Sequence, residues 1–351
     1  MEYRRYLLLL LIVLNHFTYG CQQLSARQTA SFSPSKKLVL EEISPSADFA
    51  SIALSPDSKR ITVTGLGEPL QLWDVATGKK VHTFRLGTYS SLSTPVAFSP
   101  DGKILASGEA NGKVGLWNPE NGQKLRMLTG HHKPVTSIVF SKDGKLLASG
   151  GSDGSIRIWE THSGKVQKVV NLLDEVVEVA FGLDNQLLIS SKQYGNVLFW
   201  NRGVGGIQDW FTKTQPVKKD DEPFYISSFS PDGRFVARGS KVEGSMQIID
   251  LRTQAIKQVL QGQYGASSVF SPNNAFLATV STSQQRGLIT GGNFHELRIW
   301  DLQTGRLLAK SSGREYITVL TFSGNSKTLV TGGAEGELLF WDISKLSCTG
   351  Q

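Results

Sequence analysis

A histidine, a serine and an aspartate lie near one another in the middle of the chain, at His131, Ser149 and Asp153. These are the residue types of a hydrolytic triad, in which serine attacks a carbonyl carbon, histidine takes its proton and aspartate orients the histidine. Such a site also needs an exposed serine, an oxyanion hole and a substrate cleft. Ser149 instead lies inside the stretch KLLASG, without the glycine-flanked turn that exposes a nucleophilic serine. We therefore expect a structural role for these residues and predict no catalytic residue.

The segment that contains these residues recurs along the chain. Seven units begin near residues 54, 98, 140, 181, 229, 270 and 322. Each combines an apolar segment, a turn such as SPDGK and, later, a tryptophan, which Ile249 replaces in the fifth unit. Successive tryptophans are 41 to 51 residues apart when Ile249 is counted in place of one of them. Repeats of this length are typical of propeller blades. Alternating apolar residues between glycine-containing turns predict antiparallel strands, and radial stacking would bury both faces of each sheet.

These units resemble the WD-repeat family over residues 36–345. The resemblance rests on LWD at 72–74, IWD at 299–301, FWD at 340–342 and the pair Gly130–His131. It implies an all-β fold, a seven-bladed β-propeller of four-stranded antiparallel blades. We assign the propeller to residues 36–349.

The resemblance also implies a role for the residues of the apparent triad. In the family, a Gly-His histidine, a second-strand serine or threonine, a turn aspartate and a third-strand tryptophan form a hydrogen-bonded structural tetrad. His131, Ser149, Asp153 and Trp159 occupy these positions. The alternative is a hydrolase with Ser149 as its nucleophile.

The last repeat offers three strands before the sequence becomes too short for a fourth. The segment KKLVLEEI (36–43) resembles KKVHTF (79–84), an outer strand of the first repeat. We therefore predict that the N-terminal strand completes the last blade. This closure removes an exposed sheet edge.

Two repeats contain insertions, and both insertions fall at the same end of the predicted strands. Residues 281–296 enlarge the second turn of repeat 6, and residues 213–224 lengthen the connection that follows repeat 4. We call this end the top face. Binding residues concentrate on loops held by a rigid scaffold, so we predict a partner-binding surface here; functionally neutral insertion is the alternative. The candidate residues are Lys218, Lys219, Gln284, Gln285, Arg286, Phe294 and His295.

The first twenty residues have the pattern of an export signal. Arg4 and Arg5 precede the apolar run LLLLLIVL at 7–14. This run is shorter than the roughly 20 residues that cross a bilayer, and its length suits a signal peptide over 1–20. A core helix or an uncleaved membrane anchor is the alternative.

Cleavage after residue 20 leaves Cys21 at the N-terminus, followed by a polar linker over 21–35. This arrangement resembles a bacterial lipoprotein precursor, although Thr18 and Tyr19 depart from that family's pattern. The resemblance implies acylation of Cys21 and anchoring to a bacterial membrane outside the cytoplasm. Secretion or periplasmic release, with an available Cys21–Cys348 disulfide, is the alternative.

Composition and motifs narrow the function. The net charge is +7, but the basic residues are dispersed and lack interleaved aromatics, so we expect no nucleic-acid partner. Metal-binding and phosphate-binding motifs such as HExxH, CxxC and a P-loop are missing, so we expect no metal and no cofactor. We predict a monomeric, non-catalytic scaffold for unidentified protein partners. A propeller hydrolase or lyase with a top-face site, and an intracellular WD-repeat adaptor, are the alternatives.

Overall fold

In the computed structural model of the chain, the regular elements of the described residues are β-strands. The structure describes residues 31–40, 43, 49–65, 67–86, 94–172, 174–182, 186–191, 197–200, 207–209, 225–239, 244–262, 267–282, 295–311, 317–333 and 336–346. Within these ranges there is no helix that is long and apolar enough to cross a membrane. Both cysteines and the predicted signal segment lie outside them.

Two short strands, β1 (Ser31–Phe32) and β2 (Lys36–Val39), precede the repeats. Repeats 1 to 3 form β3 (Phe49–Leu54), β4 (Arg60–Gly65), β5 (Leu70–Asp74), β6 (Lys80–Phe84), β7 (Val96–Phe98), β8 (Leu105–Gly108), β9 (Val114–Trp117), β10 (Lys124–Leu128), β11 (Val135–Phe140), β12 (Leu146–Gly151), β13 (Ser155–Glu160) and β14 (Val166–Asn171). Repeats 4 and 5 form β15 (Val176–Phe181), β16 (Leu187–Ser191), β17 (Val197–Trp200), β18 (Ile207–Asp209), β19 (Tyr225–Phe229), β20 (Phe235–Gly239), β21 (Ser245–Asp250) and β22 (Ala255–Gln261). Repeats 6 and 7 form β23 (Ser267–Phe270), β24 (Phe276–Thr282), β25 (His295–Asp301), β26 (Leu307–Ser311), β27 (Ile317–Phe322), β28 (Thr328–Gly333) and β29 (Glu337–Asp342).

A recurring turn between the first two strands explains why these segments form hairpins. In repeat 2, the Ser99 hydroxyl donates to Asp101 at 2.6 Å and accepts the amide of Ile104 at 2.9 Å. Gly102 takes a positive φ of 72°, which glycine adopts without steric cost. The same serine-to-aspartate bond occurs in repeats 1, 3 and 5, so the repeated SPDGK pattern encodes one turn geometry.

The sheets are arranged as a ring with the first strand of each repeat innermost. β3 contacts β7, β7 contacts β11, and β27 returns to contact β3. The fourth strands therefore lie at the circumference. The turns between first and second strands, and between third and fourth strands, lie at the bottom of the ring; the remaining connections lie at the top.

The predicted count of seven four-stranded blades is wrong, because the structure has six blades of that kind. The sheet of repeat 6 instead has five strands, in the order β1-β26-β25-β24-β23. Its extra strand β1 pairs in parallel with β26, and Phe32 stacks on Trp341 with ring centroids 5.2 Å apart. Apolar contact thus holds a segment that the sequence assigns to a polar linker. Because β1 has only two residues, it is too short to show the apolar–polar alternation that predicts a strand.

The N-terminal strand lies beside the last repeat. β2 pairs antiparallel with β29, giving the order β2-β29-β28-β27, and the amide and hydroxyl of Ser35 both donate to the carbonyl of Phe340. Residues 31–39 thus connect the outer edge of repeat 6 to that of repeat 7. We call these residues the N-terminal strap.

The core lies between neighbouring sheets rather than in one central cluster. Leu70, Leu72 and Phe84 of repeat 1 pack against Leu105 and Trp117 of repeat 2, and all five side chains are buried. Comparable clusters join the other neighbours and also join repeat 7 to repeat 1. Each sheet therefore buries apolar side chains against its neighbours, and the ring provides a rigid frame for its surface loops.

Candidate functional site

The most specific constellation predicted from sequence comes together in repeat 3. Trp159 on β13 donates its indole N–H to the Ser149 hydroxyl on β12 at 2.9 Å. The Ser149 Oγ lies 2.8 Å from His131 Nε2, and His131 Nδ1 lies 3.1 Å from Asp153 Oδ1. The four side chains form one continuous chain of hydrogen bonds from the core to the top of the ring.

The directions of these bonds follow from a neutral imidazole. Ser149 accepts from Trp159 and donates to His131 Nε2, so His131 carries its proton on Nδ1 and donates it to Asp153. Burial lowers the pKa of His131 below its ordinary value, although the neighbouring carboxylate partly opposes this shift. His131 is therefore neutral at pH 7.

Asp153 remains ionised in this arrangement. Burial by itself would raise the pKa of Asp153, but the backbone amides of His132 and Ser155, the Ser155 hydroxyl and the His131 ring all donate to the carboxylate. Together these bonds lower the pKa of Asp153 to about 2. The carboxylate ties the connection before β11 to the turn between β12 and β13.

The same geometry leaves Ser149 unsuited to nucleophilic attack. Its side chain is fully buried within β12, and its oxygen accepts the indole N–H of Trp159. A nucleophilic serine needs its oxygen exposed to the substrate carbonyl. The arrangement can orient strands and turns, but it presents no nucleophile at the surface.

Sequence reasoning missed that part of this network recurs in other repeats. Three further third-strand tryptophans donate to a second-strand hydroxyl at 2.9 to 3.0 Å: Trp117 to Ser107, Trp300 to Thr279 and Trp341 to Thr331. In repeat 1 the corresponding position, cross-strand from Gln71, is Val63. Both Trp73 Nε1 and Gln71 Oε1 are consequently buried without a hydrogen-bond partner. Aligning the repeats on their tryptophans would have revealed the pattern.

Of the predicted partner-binding residues, the structure describes only His295. This residue begins β25, and its Nδ1 lies 2.6 Å from the carbonyl oxygen of Ile317 on β27. His295 is thus engaged between repeats 6 and 7 and is half-buried. Lys218, Lys219, Gln284, Gln285, Arg286 and Phe294 lie outside the described residues, as does Cys21.

A cleft of about 730 Å³ between repeats 1 and 2 at the bottom of the ring was not predicted. It coincides with Arg60, which occupies a position filled by buried apolar residues in repeats 3 to 6: Leu146, Leu187, Phe235 and Phe276. Arg60 reaches across to the Pro119 carbonyl and the Glu120 carboxylate, each at 2.9 Å. The lining carries charges of both signs, so its chemistry selects no single class of ligand.

The described residues include no group of histidine, cysteine, aspartate or glutamate arranged to hold a metal ion.

Comparison with known proteins agrees with this architecture. The family model described as the IFT122 first beta-propeller matches residues 92–351. WD repeat-containing protein 82 of Drosophila melanogaster is 32% identical over 87 residues, which are 24% of this chain and 27% of that protein. The B-type cell cycle switch protein ccs52A of Medicago truncatula is 26% identical over 294 residues, which are 82% of this chain and 58% of that protein. The matches therefore span less than two thirds of these relatives.

A solved structure shares the fold. The crystal structure of RRP9 WD40 repeats superposes with a TM-score of 0.73 at 18% identity, covering 90% of this chain and 99% of that chain. At this identity, the likeness concerns the ring of sheets and not its ligands.

Proposed function

The chain belongs to the WD-repeat β-propeller family, and on this premise we propose that it is a non-catalytic scaffold that holds protein partners on its top face. Proteins of this family are generally interaction scaffolds. The observation that carries the proposal is a regular ring interrupted at two places on one face. The connection between β18 and β19 and that between β24 and β25 both leave from the top ends of their strands. Long loops on a rigid frame are the usual location of binding residues.

Partner capture tests this proposal. Residues 284–294 would be replaced by a short turn, and Lys218→Ala, Lys219→Ala would be combined in a second variant. His295 is left intact because its ring contacts Ile317. We expect both variants to keep the parent melting temperature and to lose proteins that are cross-linked to the parent in its native host.

The matched control alters the opposite face. Replacing the exposed Lys103 and Lys142 of the bottom turns by alanine removes the same charge as the Lys218, Lys219 variant. We expect this control to retain every partner. Retention of all partners by the two top-face variants would overturn the loop assignment.

We further propose that the mature protein begins at Cys21, carries acyl chains on that residue and is held outside the cytoplasm of a bacterium. The support is the N-terminal sequence pattern alone, and the relatives named above are eukaryotic. Several acyl chains bury enough CH₂ groups, at about 0.8 kcal/mol each, for stable anchoring.

The intact mass of the protein from its native host tests the anchor. We expect a chain that starts at Cys21 with added acyl mass, and a Cys21→Ser variant that is released from the membrane fraction. An unmodified chain that retains residues 1–20 would contradict the proposal.

A further inference from the structure

The circumference of the ring is rich in basic residues. Six of the seven strands that occupy the fourth position of a repeat, β2, β6, β10, β14, β22 and β26, contain no aspartate or glutamate, and each carries at least one lysine. The exception is β18 of repeat 4, which contains Asp209 and no lysine. On repeats 2 and 3, four exposed cations lie in or next to β10 and β14: Lys124, Arg126, Lys165 and Lys168. This part of the rim therefore presents concentrated positive charge.

Exposed aliphatic side chains accompany these cations. Leu125 is 50% exposed and Val166 is 46% exposed. Of the six large hydrophobic residues that are exposed in the described part of the chain, five lie on outer strands: Val39, Leu125, Val166, Ile256 and Val259. We call Lys124, Leu125, Arg126, Lys165, Val166 and Lys168 the rim patch.

The rim patch is continuous across two sheets. Arg126 of repeat 2 donates to the His162 carbonyl of repeat 3 at 3.2 Å, and its side-chain stem lies directly against Gly164. The carboxylates nearest in sequence to these cations bind other side chains at the bottom of the ring. Glu120 pairs with Arg60, and Glu160 accepts a hydrogen bond from Ser163. The two outer strands thus form one basic and aliphatic surface.

Protection of sheet edges explains only part of this composition. Lysines on an exposed edge strand discourage pairing with another chain. Exposed leucine and valine side chains on the same strands have the opposite effect, so edge protection does not account for them. Cations interleaved with aliphatic side chains are instead the composition of surfaces that bind anionic membranes, where cations attract headgroups and apolar side chains enter the interface. The circumference is convex, which suits a planar bilayer better than an extended peptide that needs a groove.

We propose that the rim patch binds bilayers that contain anionic lipids, with the ring standing edge-on to the membrane. Lys124, Lys165 and Lys168 contact the headgroups, and Leu125 and Val166 enter the interface. The proposal goes beyond the scaffold function and does not depend on acylation of Cys21. It places the top face perpendicular to the bilayer, where protein partners can reach it.

Cosedimentation with vesicles tests the proposal on the full chain carrying Cys21→Ser, so that acylation does not contribute. Vesicles of phosphatidylcholine alone are compared with vesicles that contain about one third phosphatidylglycerol. The variant K124E/K165E/K168E is compared with K103E/K142E/K145E, which changes the charge equally at exposed positions of the bottom turns. Both chains retain the same N-terminal segment, so the difference between them reports on the rim patch.

We expect the parent and the bottom-turn variant to prefer anionic vesicles, and the rim variant to need at least about tenfold more lipid for half-maximal binding. A second variant, L125S/V166S, should weaken binding most at high salt, where charge attraction is screened. Melting curves verify that each variant is folded. Equal losses in the two charge variants, or no preference for anionic vesicles, would each overturn the proposal.

Discussion

At the scale of single residues, the buried tryptophans of the repeats differ in one hydrogen bond. Four of them donate to a serine or threonine on the second strand, whereas Trp73 faces Val63 and has no acceptor. An unsatisfied buried donor costs about 1–3 kcal/mol. Repeat 1 therefore contains a local defect that a change of nearly equal volume can correct.

We expect Val63→Thr to raise the free energy of unfolding by about 1 kcal/mol, because the new hydroxyl accepts from Trp73 and donates to Gln71 across the strand pair. Denaturant unfolding measures the change. Val330→Thr is the matched control, because Val330 is fully buried beside Thr331 and has no unpaired tryptophan to satisfy. The control should destabilise; a loss of stability in both variants would contradict the assignment.

The tetrad of repeat 3 makes stability depend on pH through two groups. The folded pKa of His131 is lowered, so its contribution is complete above the unfolded value of about 6.5 and diminishes as the pH falls below it. The folded pKa of Asp153 is also lowered, to about 2, so its contribution of about 2 kcal/mol is complete above about pH 4 and is lost as the pH falls towards 2. Asp153→Asn should therefore reduce the loss of folding stability that occurs as the pH falls from about 4 towards 2.

Unfolding curves between pH 7 and pH 2 check this dependence. His132→Ala is the control, since it removes a neighbouring exposed imidazole and keeps the backbone amide that Asp153 accepts. The control should follow the parent throughout. An unchanged slope below about pH 4 in the Asp153→Asn protein would show that Asp153 does not couple protonation to folding.

The tetrad positions were predicted from the resemblance to the WD-repeat family, because His131, Ser149, Asp153 and Trp159 match that family's pattern position by position. The simpler pairs, such as Trp300 with Thr279, escape notice because serine and threonine are common in strands. The contact of His295 with the next repeat was equally hidden. A histidine beside a long insertion suggests a binding residue, and only the position of Ile317 on the next sheet reveals its structural contact.

At the scale of elements, the N-terminal strap shows how far sequence patterns reach. β2 was predictable because KKLV repeats the composition of another outer strand. β1 was not, since its two residues carry no periodicity and its position depends on the Trp341 ring in a different repeat. Because β1 is held there, the sheet of repeat 6 has five strands where four were predicted.

We expect Phe32→Ala to lower the free energy of unfolding by about 2 kcal/mol, because it removes a half-buried ring and its stacking on Trp341. Phe32→Leu, which keeps apolar contact but not stacking, should lose less. Limited proteolysis after residue 30 provides the second measurement, and the alanine variant should be cleaved faster. Equal stability of the parent and both variants would mean that β1 contributes nothing to the fold.

At the scale of the whole molecule, the ring distinguishes this repeat protein from an open array. Open arrays have terminal repeats that can unfold separately, since each repeat contacts only its neighbours. Here β2 joins repeat 7, and β27 contacts β3, so neither end of the array is free. Stability is therefore shared by all repeats.

Deleting residues 36–43 should lower the melting temperature sharply and divide a single calorimetric transition into at least two. The parent should unfold with equal calorimetric and van't Hoff enthalpies, as in two-state unfolding. A shortened protein that keeps one transition at the parent temperature would exclude this strand from ring closure.

The bond between Ser35 and Phe340 has a consequence for how the protein is made, because these residues are 305 positions apart. At the usual 5–20 residues per second of synthesis, the partner of Ser35 emerges on the order of 15–60 s later. β2 therefore leaves the ribosome before every strand of the repeats and is among the last to pair. Until the final repeat emerges, repeat 1 presents an uncovered apolar face, and chaperones that bind such faces have their longest opportunity at the start of this chain.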